Sequence, residues 1–537
     1  MPTVKFNHLD LSKIQRRFGI EYSKELLEAI GDIGCSVEEN NSDEIEIEIF
    51  PDRTDLLSPG TLAYASRTFI HREKPNPELF IESSGITLDV DSSLEKVRPI
   101  IYAAVVKGVQ TGENDDEINE FIQTIMDHQE KLHFSLGKRR SKASIGVHDL
   151  SKIKPDFKVI AVDGNYEFIP LAMNKKMSVT EILTKHPKGV DYAHLLKGMN
   201  KFPIIIDNNE DVLSFPPIIN GEHTTVNNST KDFFIDVTGW DSRACECCLL
   251  LVCLELAARG GEIQSVKINE HNGNEIITPN GKPVNHQLTQ RVLESMLGKK
   301  FDENELTMAI NRMGGNYLGV TKAPSNSLKT AKKMNDILED DIVYNFEMPR
   351  WRFDILHPID LVEEIAIGHG YEDLGTDIPK TPLAGAALKS SNFTRRFTTC
   401  LQGLGLQQIT SLTLSNENDQ FLNVRWNEKG IATILANPIT VDHTLLRTNL
   451  LPGLLRLLSA NKHNELPQRV YELGHVVRNH SNETHASWLI ASPTGGFAEG
   501  RGMLQALMRD LALDKFNVKY ELKETLENHG PWLKGRG

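Results

Sequence analysis

The chain carries a diverged copy of itself. Residues 25–34, Glu-Leu-Leu-Glu-Ala-Ile-Gly-Asp-Ile-Gly, match residues 305–314, Glu-Leu-Thr-Met-Ala-Ile-Asn-Arg-Met-Gly. Upstream, Phe18-Gly19 parallels Leu297-Gly298; downstream, Arg53-Thr-Asp55-Leu-Leu-Ser-Pro59 parallels Arg352-Phe-Asp354-Ile-Leu-His-Pro358. Each copy predicts a short helix, a second helix ending on glycine, a strand, and an Arg-x-Asp turn into a further helix. A repeated plan of this size implies a duplicated small α/β module. With 537 residues the chain is too long for one core, so the modules must flank other domains.

The second copy has something the first lacks. Residues 342–346 read as a strand, and Pro358 suits the first helical position, where its missing N–H costs nothing. Asp360, Glu363 and Glu364 then stand at i, i+3 and i+4 on one helical face, with Asp354 below them. Four like charges so close repel unless something positive sits among them, and hard carboxylate oxygens suit Mg²⁺. The competing reading is that acidic residues favour a helix N-terminus through the macrodipole. The first copy keeps Asp55 but carries Thr61, Tyr64 and Ala65 at the other three positions. The fold therefore does not need the acidic face, which weakens the helix-terminus reading beside the metal site, with a protein interface as a further alternative.

Net charge is −14, which argues against nucleic-acid binding over the whole surface and confines any RNA contact to local basic patches or a partner. No run approaches the roughly 18–20 apolar residues of a membrane span. Met-Pro-Thr-Val-Lys-Phe lacks the apolar core of a signal peptide, so a cytoplasmic protein is expected. Four of the six cysteines fall in Ala-Cys-Glu-Cys-Cys-Leu-Leu-Leu-Val-Cys (244–253) without a second paired motif or histidine cluster. They read as small buried residues of an apolar helix in preference to zinc ligands.

Between the copies, about 90–270, β-rich runs such as Ile100–Lys107 and 233–238 mix with amphipathic helices, and Pro155, Pro187 and Pro216-Pro217 punctuate the loops. Residues 320–335 read as a polar insertion loop within the second copy. After about 380 the sequence predicts helices near 392–404 and 450–462 and a strand over 469–477.

Several stretches in order, Phe50-Pro-Asp-Arg-Thr-Asp-Leu-Leu-Ser58, Ile145-Gly-Val-His-Asp149, His186-Pro-Lys-Gly189 with Asp191-Tyr-Ala-His-Leu195, and Ser214-Phe-Pro-Pro-Ile-Ile-Asn-Gly-Glu222, carry a family likeness. Phe234-Ile-Asp-Val-Thr-Gly239, the 352–364 segment, Asn437-Pro-Ile439 and Leu446-Arg-Thr-Asn-Leu-Leu-Pro-Gly453 complete it. Together they resemble the beta subunits of phenylalanine–tRNA ligases of the archaeal and eukaryotic cytosolic type.

The resemblance implies an α+β multidomain chain. Duplicated small α/β, winged-helix-like modules (1–85 and 275–378) would flank an α/β tRNA-editing domain (90–270). A non-catalytic class II synthetase-like antiparallel sheet domain (385–537) would follow, stopping some tens of residues short of related chains. It implies an alpha-subunit partner in an alpha2-beta2 heterotetramer, phenylalanine tRNA as ligand, ATP used by the complex, and neither membrane nor DNA as partner. It places an Mg²⁺ shared with the alpha subunit on Asp354, Asp360, Glu363 and Glu364.

For editing, the resemblance points to Ser214, Asp236 and Thr238. A pocket shaped for phenylalanine rejects tyrosine, which merely adds a hydroxyl, by only about 100-fold, so a second hydrolytic site is needed. Asp236 would accept the phenolic hydrogen, with Thr238 or Ser214 positioning water or the ester; strand-end residues making local backbone bonds are the alternative. Lys138, Arg139, Arg140 and Lys142 are the candidates for tRNA phosphate contacts, against a solvated loop. His148 and Asp149 read as a structural turn in preference to a catalytic pair. Arg469-Val-Tyr-Glu472 sits on a strand without the glycine-rich, arginine-ended strand of a working class II core. The rival reading is a free-standing RNA-binding or scaffold protein with decayed editing.

Overall fold

The computed structural model describes residues 3–324, 327–375, 385–426, 431–513, 518, 521 and 530–532. It divides into two compact units, Met1–Asp377 and Ile378–Gly537.

The first unit opens on a three-stranded antiparallel sheet in which Glu44–Ile49 lies between Thr3–Asn7 and Cys35–Asn40. Its Glu-Ile-Glu-Ile-Glu-Ile alternation turns Ile45, Ile47 and Ile49 into the core and the glutamates outward. Helices His8–Arg17 and Pro59–Phe69 cover the buried face. Near the other end of the unit the plan recurs. Ile342–Met348 lies between Val284–Thr289 and Asn316–Lys322, with helices Gln290–Leu297, Glu303–Arg312 and Pro358–His369. Each three-stranded sheet contains two strands beyond the one expected, and the segment 28–33 is a 3-10 helix ending on Gly34 at φ 107°. The polar stretch after 320 is still strand as far as Lys322.

The Arg-x-Asp turns of both copies are buried together. Arg53 grips Asp55 through Nε and Nη2 (2.9 and 2.8 Å) and donates Nη1 to the Ile33 carbonyl. Arg352 grips Asp354 through Nε and reaches Glu364 through Nη1 and Nη2 (2.8 and 2.6 Å). Beside them Tyr64 meets Trp351 edge-on at 5.6 Å.

A ten-stranded mixed sheet occupies the middle of this unit. Its main path runs Ile219–Asn220, Val212–Phe215, Phe202–Ile206, Phe157–Val162, Glu82–Val90, Glu262–Asn269, Ile100–Lys107, Phe233–Gly239, Ala143–Asp149, with Glu275–Thr278 branching from Glu262–Asn269. The two ends of the path curl towards each other: Asn220 Nδ2 donates to the Val147 carbonyl, and Arg140 Nη1 to the carbonyls of Pro217 and Ile218. The apolar helix Ser242–Ala258 backs the sheet and buries Cys245, Cys247, Cys248 and Cys253. Burial pushes the Cys245 and Cys247 thiols up to about 12, so they stay protonated. The same helix carries Glu255, fully buried, which accepts from Gly60 N (2.6 Å) and from Arg259 Nε (2.8 Å). A Cβ at Gly60 would lie 2.4 Å from Glu255 Oε2, so this tie to the first module requires glycine.

Helix Asp115–Phe134 buries two histidines. Among the described residues His128 has no partner for either ring nitrogen, and His133 Nε2 accepts from Ile145 N–H at 2.8 Å. Burial pushes His128 down to about 3 and His133 to about 4, so both are neutral in the fold. The unfolded chain binds protons there once pH falls through about 6.5. Stability of the first unit should therefore fall between about pH 6.5 and 4, by on the order of 3 kcal/mol for each histidine. Thermal melts across that range should show the slope, and His128→Leu should flatten it.

In the second unit, helices Lys389–Gly403 and Phe497–Asp510 pack with strand Gln468–Arg478, which pairs antiparallel with Ser481–Ala491 and parallel with Gln407–Gln408. Glu472 on this strand is buried against Arg447 (2.6 Å), and Arg469 pairs with Glu499 (2.8 Å).

Candidate functional site

The approach of the two sheet ends leaves a cavity of about 530 Å³. Asp236, Ser214, Ser144, Gly146, Arg140 and Met126 are among its lining residues. Asp236 comes from the middle of strand Phe233–Gly239, opposite Gly146 on the neighbouring strand. Gly146 has no side chain to fill the space, so the Asp236 carboxylate passes it and meets the His148 ring, Oδ1 to Nε2 at 2.7 Å. A Cβ on residue 146 would lie 2.3 Å from Asp236 Oδ1 and 2.7 Å from His148 Nε2. The far nitrogen of His148, Nδ1, lies 2.9 Å from Thr224 Oγ1. Among the described residues, Asp236 Oδ2 has no hydrogen bond.

Ser214 supplies a second group. Its strand, Val212–Phe215, lies towards the opposite end of the sheet path, and its Oγ is buried in the cavity wall with no hydrogen-bond partner among the described residues. An orphaned buried hydroxyl costs roughly 1–3 kcal/mol unless water or a ligand satisfies it. The cavity thus joins an acceptor and an unsatisfied hydroxyl across walls that mix apolar residues such as Met126, Leu171 and Phe215 with polar ones such as Glu130, Arg140 and Lys188, a composition that suits a polar small-molecule group. No general base touches Ser214 Oγ, so the arrangement suits an attacking water and not a serine nucleophile.

Thr238 does not join them. It is buried two residues along from Asp236, outside the cavity lining, and its Oγ1 accepts from Arg98 Nε at 2.7 Å. Asp149 ends the same strand and caps the turn after it, accepting from Ser151 and Thr230, so the structural-turn reading holds for Asp149 and not for His148. The His148–Asp236 pair was missed from sequence, because the two residues lie far apart in the chain and meet only through strand register. The available signal was a glycine two residues before a histidine on a β-rich run.

The basic loop splits. Arg140 is buried and turns inward, donating to Glu130 (2.6 Å) as well as to the Pro217 and Ile218 carbonyls, with its guanidinium 4.3 Å from the Tyr192 ring centroid. It braces the cavity, so it is not free for a phosphate. Lys138 and Arg139 stay exposed, and Lys142 pairs with Asp241 at 2.9 Å while keeping 44% side-chain exposure.

The acidic face is likewise divided. Asp354 and Glu364 are held by Arg352, and Asp360 Oδ2 accepts from the amides of Leu356 and His357, closing the N-terminus of helix Pro358–His369. The positive group among the carboxylates is therefore Arg352. Glu363 differs in being exposed; burial, then Asp52, Asp360 and Asp354, push its carboxyl up from the usual value, as burial does for Glu364 despite the grip of Arg352. Elsewhere Asp207, Asp211 and His223 bring ligand-type atoms together, but Asp207 already accepts the amides of Lys154, Asn209 and Asp211.

Gly146→Ala should cut whatever chemistry Asp236 performs by tenfold or more, since a general acid–base group typically contributes about 100- to 10,000-fold and depends on placement. A melt of the variant separates this from unfolding.

Three protein-family models match: the B3/4 domain over residues 98–246, the tRNA synthetase B5 domain over 287–371, and the phenylalanyl tRNA synthetase beta chain CLM domain over 374–536. The chain is 36% identical over 525 residues to the phenylalanine–tRNA ligase beta subunit of Methanosarcina acetivorans, covering 98% of this chain and 90% of that one. The same-named subunit of Archaeoglobus fulgidus is 36% identical over 487 residues, covering 90% and 83%. Among solved structures, an N-terminal fragment of the phenylalanyl-tRNA synthetase beta subunit from Pyrococcus horikoshii superposes with a TM-score of 0.59 at 29% identity. That match spans 69% of this chain and all of the fragment.

Proposed function

The chain belongs to the phenylalanine–tRNA ligase beta-subunit family, and from that premise we propose that the cavity around Asp236 hydrolyses mischarged tyrosyl-tRNA. The observation that carries this reading is the pairing, in one cavity, of the open Asp236 oxygen with the orphaned Ser214 hydroxyl. Asp236, oriented by His148, accepts the phenolic O–H that distinguishes tyrosine from phenylalanine. Ser214 orients the ester or the water that attacks it. Water adds to the ester carbonyl, the bond to the ribose oxygen breaks, and tyrosine leaves with the tRNA hydroxyl restored. Thr238 acts at one remove, through Arg98.

The chain works as the beta partner of an alpha subunit, in an alpha2-beta2 heterotetramer in the cytoplasm. The alpha subunit uses ATP to attach phenylalanine to its tRNA, and the second unit of this chain packs as a non-catalytic class II-like domain. The two Arg-x-Asp modules, 1–85 and 275–378, are duplicated winged-helix-like elements around the editing domain at 90–270. Co-expression with the alpha subunit tests this assembly: aminoacylation should require both chains, and a stable monomer that complements no alpha subunit would support a free-standing RNA-binding protein instead.

The acidic face provides for an Mg²⁺ shared with the alpha subunit. Hard carboxylate donors suit that ion, which keeps waters and takes few protein ligands. Asp354 and Glu364 are already paired with Arg352, so Glu363 and Asp360 are the residues that would hold it. When bound, it neutralises this face and supports the subunit contact. Glu363→Ala should weaken Mg²⁺-dependent assembly on gel filtration; elution that ignores Mg²⁺ in both proteins would remove the ion from this face.

A further inference from the structure

We propose that Phe134 and Trp240, together with Lys138, Arg139 and Lys142, form a landing surface for the unpaired 3′ end of an RNA beside the Asp236 cavity. The inference deepens the editing reading and rests on it for the identity of the RNA. Met126 and Glu130 line the cavity from helix Asp115–Phe134. Phe134 continues that four-residue spacing, so it stands on the same helical face, about 6 Å further along the axis. Its ring is 61% exposed and carries the Arg139 guanidinium 5.4 Å from its centroid. Trp240, 48% exposed, follows the strand that bears Asp236, and its N–H donates to the Lys142 carbonyl at 3.0 Å. Arg140, turned inward, pins the loop that joins these residues to the cavity.

Two large aromatic rings left in water forgo the hydrophobic gain of burial, and here one carries the Arg139 guanidinium and the other follows in sequence the strand that pairs with the Lys142 end of the basic loop, on a chain of net charge −14. Exposed rings interleaved with cations match single-stranded nucleic acid: bases stack on the rings and phosphates meet the cations. A duplex keeps its bases stacked on one another and offers them to neither ring. An RNA end that must reach an ester site has to be unpaired there.

The test uses the full chain and two uncharged RNA hairpins, identical except that one ends in a few unpaired 3′ nucleotides. Wild type should bind the overhang hairpin more tightly. Trp240→Ala and Phe134→Ala should each weaken that binding about tenfold while moving the blunt hairpin little, and Trp240→Phe should keep most of the preference. Lys138→Ala with Arg139→Ala should weaken both RNAs and flatten the salt dependence. Absence of an overhang preference in wild type, or a preference that survives both alanine variants, overturns the proposal; so does equal loss on the two RNAs. Because neither RNA is charged, a failure of tyrosyl-tRNA hydrolysis would contradict the editing reading while leaving this binding result to stand or fall separately.

Discussion

Asp236→Ala is expected to lower deacylation of tyrosyl-tRNA by about 10- to 100-fold, the loss of one buried hydrogen bond to the substrate hydroxyl, while phenylalanylation by the complex continues. The reason is the shape of the cavity. A site that hydrogen-bonds a substrate hydroxyl discriminates by about 10⁴–10⁵ against the analogue that lacks it, because the buried polar partner is otherwise left unpaired. In the proposed site Asp236 is that partner: it is buried, one oxygen is committed to His148, and the other is open to the cavity. Deacylation rates of both charged tRNAs, measured on wild type and variant, check the claim. Unchanged tyrosyl-tRNA hydrolysis would remove Asp236 from the site.

Arg352→Met should destabilise the first unit by about 3–5 kcal/mol, the cost of stripping a buried ion pair of one partner. Asp354 and Glu364 would lose their cation, and nearby Asp55 would lose one of the two arginines that favour its charge. Arg352→Lys should recover only part of this, since an ammonium cannot reproduce the forked contacts to two carboxylates. Adding Asp354→Asn and Glu364→Gln to Arg352→Met should restore stability, because the uncompensated charges are then gone. Urea unfolding of the isolated chain reads all three variants.

Local patterns of the chain were legible where the physics is local. Pro358 at a helix start, the 342–346 strand and the apolar cysteine helix follow from backbone sterics and periodicity, and each lies where the residues place it. The alternation in 44–49 was equally available and went unread. Side-chain partners were harder, because charge identity does not reveal direction. Lys138, Arg139, Arg140 and Lys142 look alike in a row, yet Arg140 turns into the protein to brace two carbonyls across the cavity. The four carboxylates called for a cation, and Arg352, two residues from the first of them, lay within the same motif. His148 needed strand register to reach Asp236, and register between distant strands depends on the whole sheet. Thr238 shared a motif with Asp236 but is bonded to Arg98 outside the cavity lining.

The most direct test of the editing cavity is the hydrolysis of tyrosyl-tRNA and phenylalanyl-tRNA, side by side, by this chain assembled with its alpha subunit. The tyrosyl ester should be cleared rapidly and the phenylalanyl ester spared. Hydrolysis of tyrosyl-tRNA no faster than in buffer, or equal hydrolysis of the two, would contradict the account.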